Sequence, residues 1–119
     1  MEARELGQWG EKQAARYLRR KGYSILECNY SCRFGEIDII AEKKNYVIFA
    51  EVKLRKNDEF AKPREFVTRA KQQRIISTAQ LWLMENSSEL QPRFDVIEVY
   101  APSGIAGRVR IEHIEDAFE

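Results

Sequence analysis

Apolar positions recur at two different periods along this chain, and the alternation between the two lays out its elements. From about Arg4 to Lys21 the charged residues and the Ala and Leu positions follow helical spacing, and Gly22-Tyr23 supplies the stop expected just past a helix C-terminus. Ser24 to Tyr30, Glu36 to Ala41 and Tyr46 to Lys53 are short apolar or β-branched runs separated by Gly35 and by Lys43-Lys44-Asn45. They read as three consecutive antiparallel strands. Pro63 sits where a first helical turn begins, and Phe66, Val67, Ala70, Ile75, Ala79, Trp82 and Leu83 mark one long helix that ends near Asn86-Ser87-Ser88. Phe94 to Tyr100 alternates apolar with polar residues before Pro102-Ser103-Gly104, and Arg108 to Ile111 alternates again, giving two more strands. Leu54 to Lys62, with Asn57-Asp58-Glu59 at its middle, reads as a mobile loop. The predicted order is α-β-β-β-α-β-β, an α/β chain.

Composition narrows the class. At 119 residues the chain is most simply one domain spanning 1–119. Hydrophobic residues make up 44% and charged residues 33%, a balance that excludes the disordered class. His113 is the only histidine, and with Cys28 and Cys32 it cannot complete a four-ligand Cys/His zinc site within one chain. The two cysteines read as reduced thiols rather than a disulfide, which favours a cytoplasmic setting. The amino terminus is charged and leads into no apolar segment, and no run approaches the ~18 apolar residues of a membrane span. Lys and Arg number 20 against 19 Asp and Glu, so only the distribution of charge can speak for a nucleic-acid partner.

That distribution is informative. Successive strand residues alternate faces, so Glu51 and Lys53 project from one face with Cα atoms roughly 7 Å apart. With Glu36 to Ile40 as the neighbouring hairpin strand, Asp38 lies beside Glu51, and two carboxylates meet near a lysine in an apolar sheet. Such a pair is costly unless something cationic joins it, which a divalent metal does. Carboxylate oxygens, a backbone carbonyl such as that of Val52, and water suit Mg²⁺ or Mn²⁺. The same ion can polarise a phosphate and lower the pKa of a bound water. Lys53 would orient or deprotonate that water and stabilise charge on the phosphate. Taken alone, the triplet Glu51-Val52-Lys53 is common enough to read more readily as a solvated pair on an outer sheet face, with Asp38 as a strand-end polar residue.

Glu11 shifts that balance. On a helical wheel it falls among Gly7, Ala14, Ala15 and Leu18, so a third carboxylate occupies a small-residue stripe that points toward the sheet. The alternative for it is a buried glutamate satisfied by an arginine or a backbone group. Lys71 shares the side of Val67, Ile75 and Trp82 and either reaches the site or snorkels at the stripe's edge. Arg33, Arg55, Lys56, Lys62 and Arg64 flank the proposed ligands as a phosphate-contacting rim or as ordinary surface charges.

Several motifs in fixed order resemble a known group: Gly7-x-x-Gly10-Glu11-x-x-Ala14-x-x-Tyr17-Leu18, Gly22-Tyr23, Gly35-Glu36-Ile37-Asp38, Phe49-Ala50-Glu51-Val52-Lys53-x-Arg55, Lys71, Arg93-Phe94-Asp95-Val96 and Ile114-Glu115-Asp116-Ala117-Phe118. They resemble the YraN-like family of small bacterial proteins over nearly the whole chain. The resemblance implies a restriction-endonuclease-like fold, a mixed β-sheet flanked by helices, with a PD-(D/E)xK type of active site. It also implies similarity to archaeal Holliday junction resolvases, which are dimers cutting branched DNA. Carried over, Glu11, Asp38, Glu51 and Lys53 take the metal-site and catalytic positions. The chain departs from the pattern where no proline precedes Asp38, at Ser31 and at Ala61.

The expectation is therefore a cytoplasmic, Mg²⁺- or Mn²⁺-dependent DNA nuclease with no membrane contact. Its metal would be held by Glu11, Asp38, Glu51 and Val52, and catalysis would add Lys53. DNA would be contacted by Arg33, Arg55, Lys56 and Lys71, with a homodimer as the expected assembly. The rival expectations are a catalytically weak or inactive DNA-binding or protein-interaction module on the same fold, and an adaptor with no nucleic-acid role.

Overall fold

The computed structural model describes residues 2–55 and 67–119. The elements run α1 (Ala3–Arg20), β1 (Ser24–Cys32), β2 (Gly35–Lys43), β3 (Tyr46–Arg55), α2 (Arg69–Glu85), β4 (Gln91–Tyr100) and β5 (Arg110–Phe118), the expected order. The end of α1 follows the Gly22 signal closely. Gly22 adopts φ +94°, its N–H reaches Arg19 O at 3.0 Å and Tyr23 N reaches Leu18 O at 3.0 Å, so the last carbonyls are closed in a Schellman turn.

Helix α2 starts later than expected. Pro63 and Phe66 lie outside the described residues, but Val67 and Thr68 are described and are not helical. Thr68 is extended (φ −65°, ψ 160°), and its side chain accepts from Lys71 N at 3.1 Å, so the hydroxyl caps a helix that begins at Arg69. Leu54 and Arg55, expected in a loop, belong to β3. The strands also outrun the apolar runs, most of all β5, which continues to Phe118.

One five-stranded sheet has the order β1-β2-β3-β4-β5. The pairs β1/β2, β2/β3 and β4/β5 are antiparallel, while β3/β4 is parallel because α2 carries the chain back across the sheet. The sheet is therefore mixed, with one helix on each face. Ala14, Ala15 and Leu18 of α1 pack on Ile39, Ala41, Ile48, Ala50, Ile97 and Val99. Ile75, Ala79 and Trp82 of α2 pack on Ile37, Ile40, Val47, Phe49 and Val96. Alternation along β3 then sends Glu51 and Lys53 to the α2 side, in phase with Val47 and Phe49.

The alternation read in β4 does not mean a solvated face. Asp95 and Glu98 are both 0% exposed, because β4 is an interior strand between β3 and β5. Among the described residues no helix is long and apolar enough to cross a membrane, and Cys28 and Cys32 are both free thiols.

Candidate functional site

The candidate site opens where β2 and β3 part. Their ladder ends at the Ile39–Ala50 pair, and beyond it the amide of Val52 donates instead to Asp38 Oδ2 at 2.8 Å. A carboxylate thus replaces a strand carbonyl as acceptor, which fixes Asp38 at the mouth of the gap. Gly35, Glu36, Asp38, Glu51, Lys71, Arg74 and Ile75 line a cavity of about 270 Å³ there. Glu51 is 7% exposed, with Lys71 Nζ at 2.6 Å and Lys53 Nζ at 3.6 Å from its Oε1.

The electrostatics are those of a crowded site. Burial, and then the neighbouring charge of Glu51, push the Asp38 carboxyl up to about 7, against the opposing pull of the Val52 amide. Burial and the adjacent Lys71 lower Lys53 from the usual lysine range. Burial works to lower Lys71 too, but its hydrogen bond and charge contact with Glu51 outweigh that and hold it above its ordinary value.

The structure thus brings Asp38, Glu51, Lys53 and Lys71 together. Val52 joins them through its amide, while its side chain packs in the cluster on the α1 face. Glu11 does not line this cavity. It borders a separate groove on the α1 side with Gln8, Lys12, Ala15, Arg16, Arg19, Cys28 and Asn29, and reaches Asp38 only as a weaker charge contribution than Glu51. Among the described residues, no three His, Cys, Asp or Glu side chains converge on one metal position. Arg33 lies in the β1–β2 turn, its guanidinium 4.8 Å from the centre of the Phe34 ring. Arg55 Nε sits 3.8 Å from Glu98 Oε2, so it is turned to β4. Lys56, Lys62 and Arg64 lie outside the described residues.

A second polar cluster, not foreseen in the sequence, ties α1 to β4 and β5. Asp95 accepts from Arg93 Nε at 2.9 Å and Nη2 at 2.8 Å and from Asp116 N at 3.1 Å, with His113 Nε2 at 2.7 Å. His113 Nδ1 contacts Tyr17 OH at 3.0 Å, and Arg93 Nη2 donates to Tyr23 OH at 2.7 Å. Burial alone would raise Asp95, but the contacts with His113 and Arg93 outweigh it and hold the carboxyl below its usual range. The available signal was a charged residue in the middle of a strand whose neighbours in phase, Ile97 and Val99, are apolar.

The chain has a broad set of relatives in sequence. The family model described as "Uncharacterised protein family UPF0102" matches residues 10–99. A UPF0102 protein of Caldanaerobacter subterraneus subsp. tengcongensis is 46% identical over 95% of this chain and 93% of its own length. One from Clostridioides difficile is 45% identical over 99% of this chain and 100% of its own. One from Flavobacterium psychrophilum is 41% identical over 98% and 96%.

Proposed function

This chain belongs to the uncharacterised protein family UPF0102, and from that premise we propose that it is a metal-dependent nuclease of the restriction-endonuclease-like, PD-(D/E)xK type that hydrolyses DNA phosphodiester bonds. The observation that supports this reading is the shared cavity of Asp38 and Glu51, with Lys53 and Lys71 beside it.

The donor set fits a hard divalent cation. Among the described residues Asp38 has one amide donor and no ion pair, feeling Lys71 only through space, and Mg²⁺ is commonly held by one or two carboxylates with water and substrate phosphate completing its shell. Asp38 and Glu51 would hold Mg²⁺ or Mn²⁺, with the Val52 carbonyl as a further oxygen, and when bound the ion polarises the phosphate and acidifies a water. Glu11 enters this reading as longer-range negative charge on the far side of Asp38 rather than as a lining ligand. The Val52 amide orients Asp38. Lys53 orients the attacking water or takes its proton, and Lys71 and Arg74 offer positive charge to the phosphate as it becomes more negative. By the family resemblance the substrate is branched DNA and the working form a homodimer, whose two-fold axis would present two cavities to two strands.

The test is incubation of the purified protein with branched, single-stranded and duplex DNA, with and without Mn²⁺, beside Asp38→Ala and Glu51→Ala. Metal-dependent cutting should fall by about 10²-fold or more in both variants, the scale of losing one preorganised electrostatic group. Cutting that survives both substitutions overturns the reading. One observation favours a second reading, a DNA-binding module without hydrolysis: the Lys71 ammonium already neutralises Glu51 at 2.6 Å. Salt-sensitive DNA binding that no metal alters, with no cleavage of any substrate, would select it.

A further inference from the structure

We infer that Phe34, at the tip of the β1–β2 hairpin, is a stacking platform for an unpaired nucleobase of the DNA strand that enters the Asp38–Glu51 cavity. The inference rests on the nucleic-acid reading above and sharpens it, because it assigns the chain a preference for DNA with free bases.

Cys32 pairs with Gly35 across the ladder, so Arg33-Phe34 form a two-residue turn. A two-residue turn usually carries small polar residues, because its side chains project into water. Phe34 is instead a large aromatic at 38% exposure. The Arg33 guanidinium lies 4.8 Å from the ring centre, a cation–π contact that sets positive charge beside it.

The hairpin tip is anchored. The Phe34 amide donates to Cys32 Sγ at 3.4 Å, and that thiol reaches Thr78 Oγ1 of α2 at 3.8 Å. A Cβ on Gly35 would lie 3.3 Å from Thr78 Oγ1 and 3.5 Å from Arg74 Cβ, so the backbone sits close against the helix. The ring is thus presented from a braced turn, which reduces the ordering cost of stacking on it.

Its position suits a strand running through the site. Gly35 and Glu36, the next residues, line the cavity together with Asp38. Phe34 and Asp38 are four positions apart, roughly 13 Å of extended chain, which is about four stacked nucleotides or fewer stretched ones. Arg74 and Lys71 line the cavity and Arg33 sits in the turn, so cations stand at both ends of that span for the phosphates. An aromatic face between backbone-binding cations is the arrangement that holds single strands without reading sequence, since every base has a π-face. Bases inside a duplex have no free face, so the platform favours single strands, flaps and junction openings.

The test uses the full chain in metal-free buffer with 2-aminopurine-labelled oligonucleotides: a single strand, a forked duplex and a blunt duplex. Phe34→Leu keeps apolar bulk and removes the π-face, while Phe34→Trp keeps it. Stacking is worth ~1–3 kcal/mol per base, so Phe34→Leu should weaken single-strand and forked binding about tenfold and blunt-duplex binding less than about twofold. Phe34→Trp should restore tight binding, with its indole fluorescence quenched by the single strand. Asp38→Asn should keep the wild-type preference for free bases in this buffer, and should lose cleavage once Mn²⁺ is added. Wild-type-like binding by Phe34→Leu, with no loss of preference, overturns the platform and leaves the nuclease reading standing. A wild-type protein that binds none of the three oligonucleotides overturns both.

Discussion

Asp38 and Asp95 are two aspartates on neighbouring parts of one sheet, both largely withdrawn from water, and they are treated in opposite ways. Asp95 is surrounded by donors from its own chain, the Arg93 fork, the Asp116 amide and the His113 ring, and its carboxyl is held low. Asp38 has one amide donor among the described residues, faces another carboxylate and is held up to about 7. A buried charge is tolerable when it is paired and hydrogen-bonded. Asp95 meets that condition within the fold, while among the described residues Asp38 meets it only in part, through the Val52 amide and the through-space charge of Lys71. The difference separates a carboxylate used to join α1 to β4 and β5 from one that, under the proposed function, is kept available for chemistry.

The largest effect that can break this comparison is at Asp95. Asp95→Ala should cost roughly 3–5 kcal/mol in urea unfolding, since it removes the buried acceptor of the Arg93 fork and the Asp116 amide and the partner of the His113 ring. A loss under about 1 kcal/mol, the surface ion-pair range, would show that Asp95 is not the completed carboxylate.

Asp38→Asn should do the reverse, stabilising the chain by roughly 1–3 kcal/mol at pH 8 and by little at pH 4. The sign follows from proton uptake. With its folded pKa raised to about 7, above an unfolded value near 3.8, Asp38 binds more proton in the native state, and stability falls as pH rises through that window. Asp95 is depressed, so its contribution is complete above its unfolded pKa and is lost as pH falls through the folded one. In Asp38→Asn the decline between about pH 4 and 7 should flatten, and an unchanged pH profile would contradict the assignment.

The smallest effect is a control that touches neither carboxylate. Helix α2 ends as α1 does, with Ser88 N reaching Leu83 O at 3.1 Å, but Ser87 holds the left-handed position at φ 48° where α1 has Gly22. Ser87→Gly should therefore stabilise by about 0.5–1 kcal/mol at every pH, with no change in metal response. A pH-dependent gain would mean that the slopes seen at Asp38 are not local to it.

How much of this was legible in the sequence depends on the range of each interaction. The order of elements and the stop at Gly22-Tyr23 are written in local periodicity and backbone chemistry, and both were readable. The start of α2 was misplaced because Pro63 is a permissive helix starter while Thr68 is the side chain that caps. Strand alternation correctly set Glu51, Lys53 and Asp38 around one opening, and Lys71 joined them through α2. For Glu11, helical phase showed that it points toward the sheet. It could not show which face of the sheet α1 covers, and that decides whether Glu11 meets Glu51. The Asp95 cluster joins Tyr17 to His113 across 96 residues, and no local pattern carries such a pairing.

The most direct measurement is calorimetric titration of Mn²⁺ into the wild type and Asp38→Asn at pH 6 and pH 8. With Asp38 near 7, binding to the wild type should occur at millimolar concentration or tighter, release close to one proton at pH 6 and little at pH 8, and weaken at least about tenfold in Asp38→Asn. Binding of equal strength in Asp38→Asn, or no binding at either pH, would contradict the view that Asp38 is a carboxylate left open for a cation.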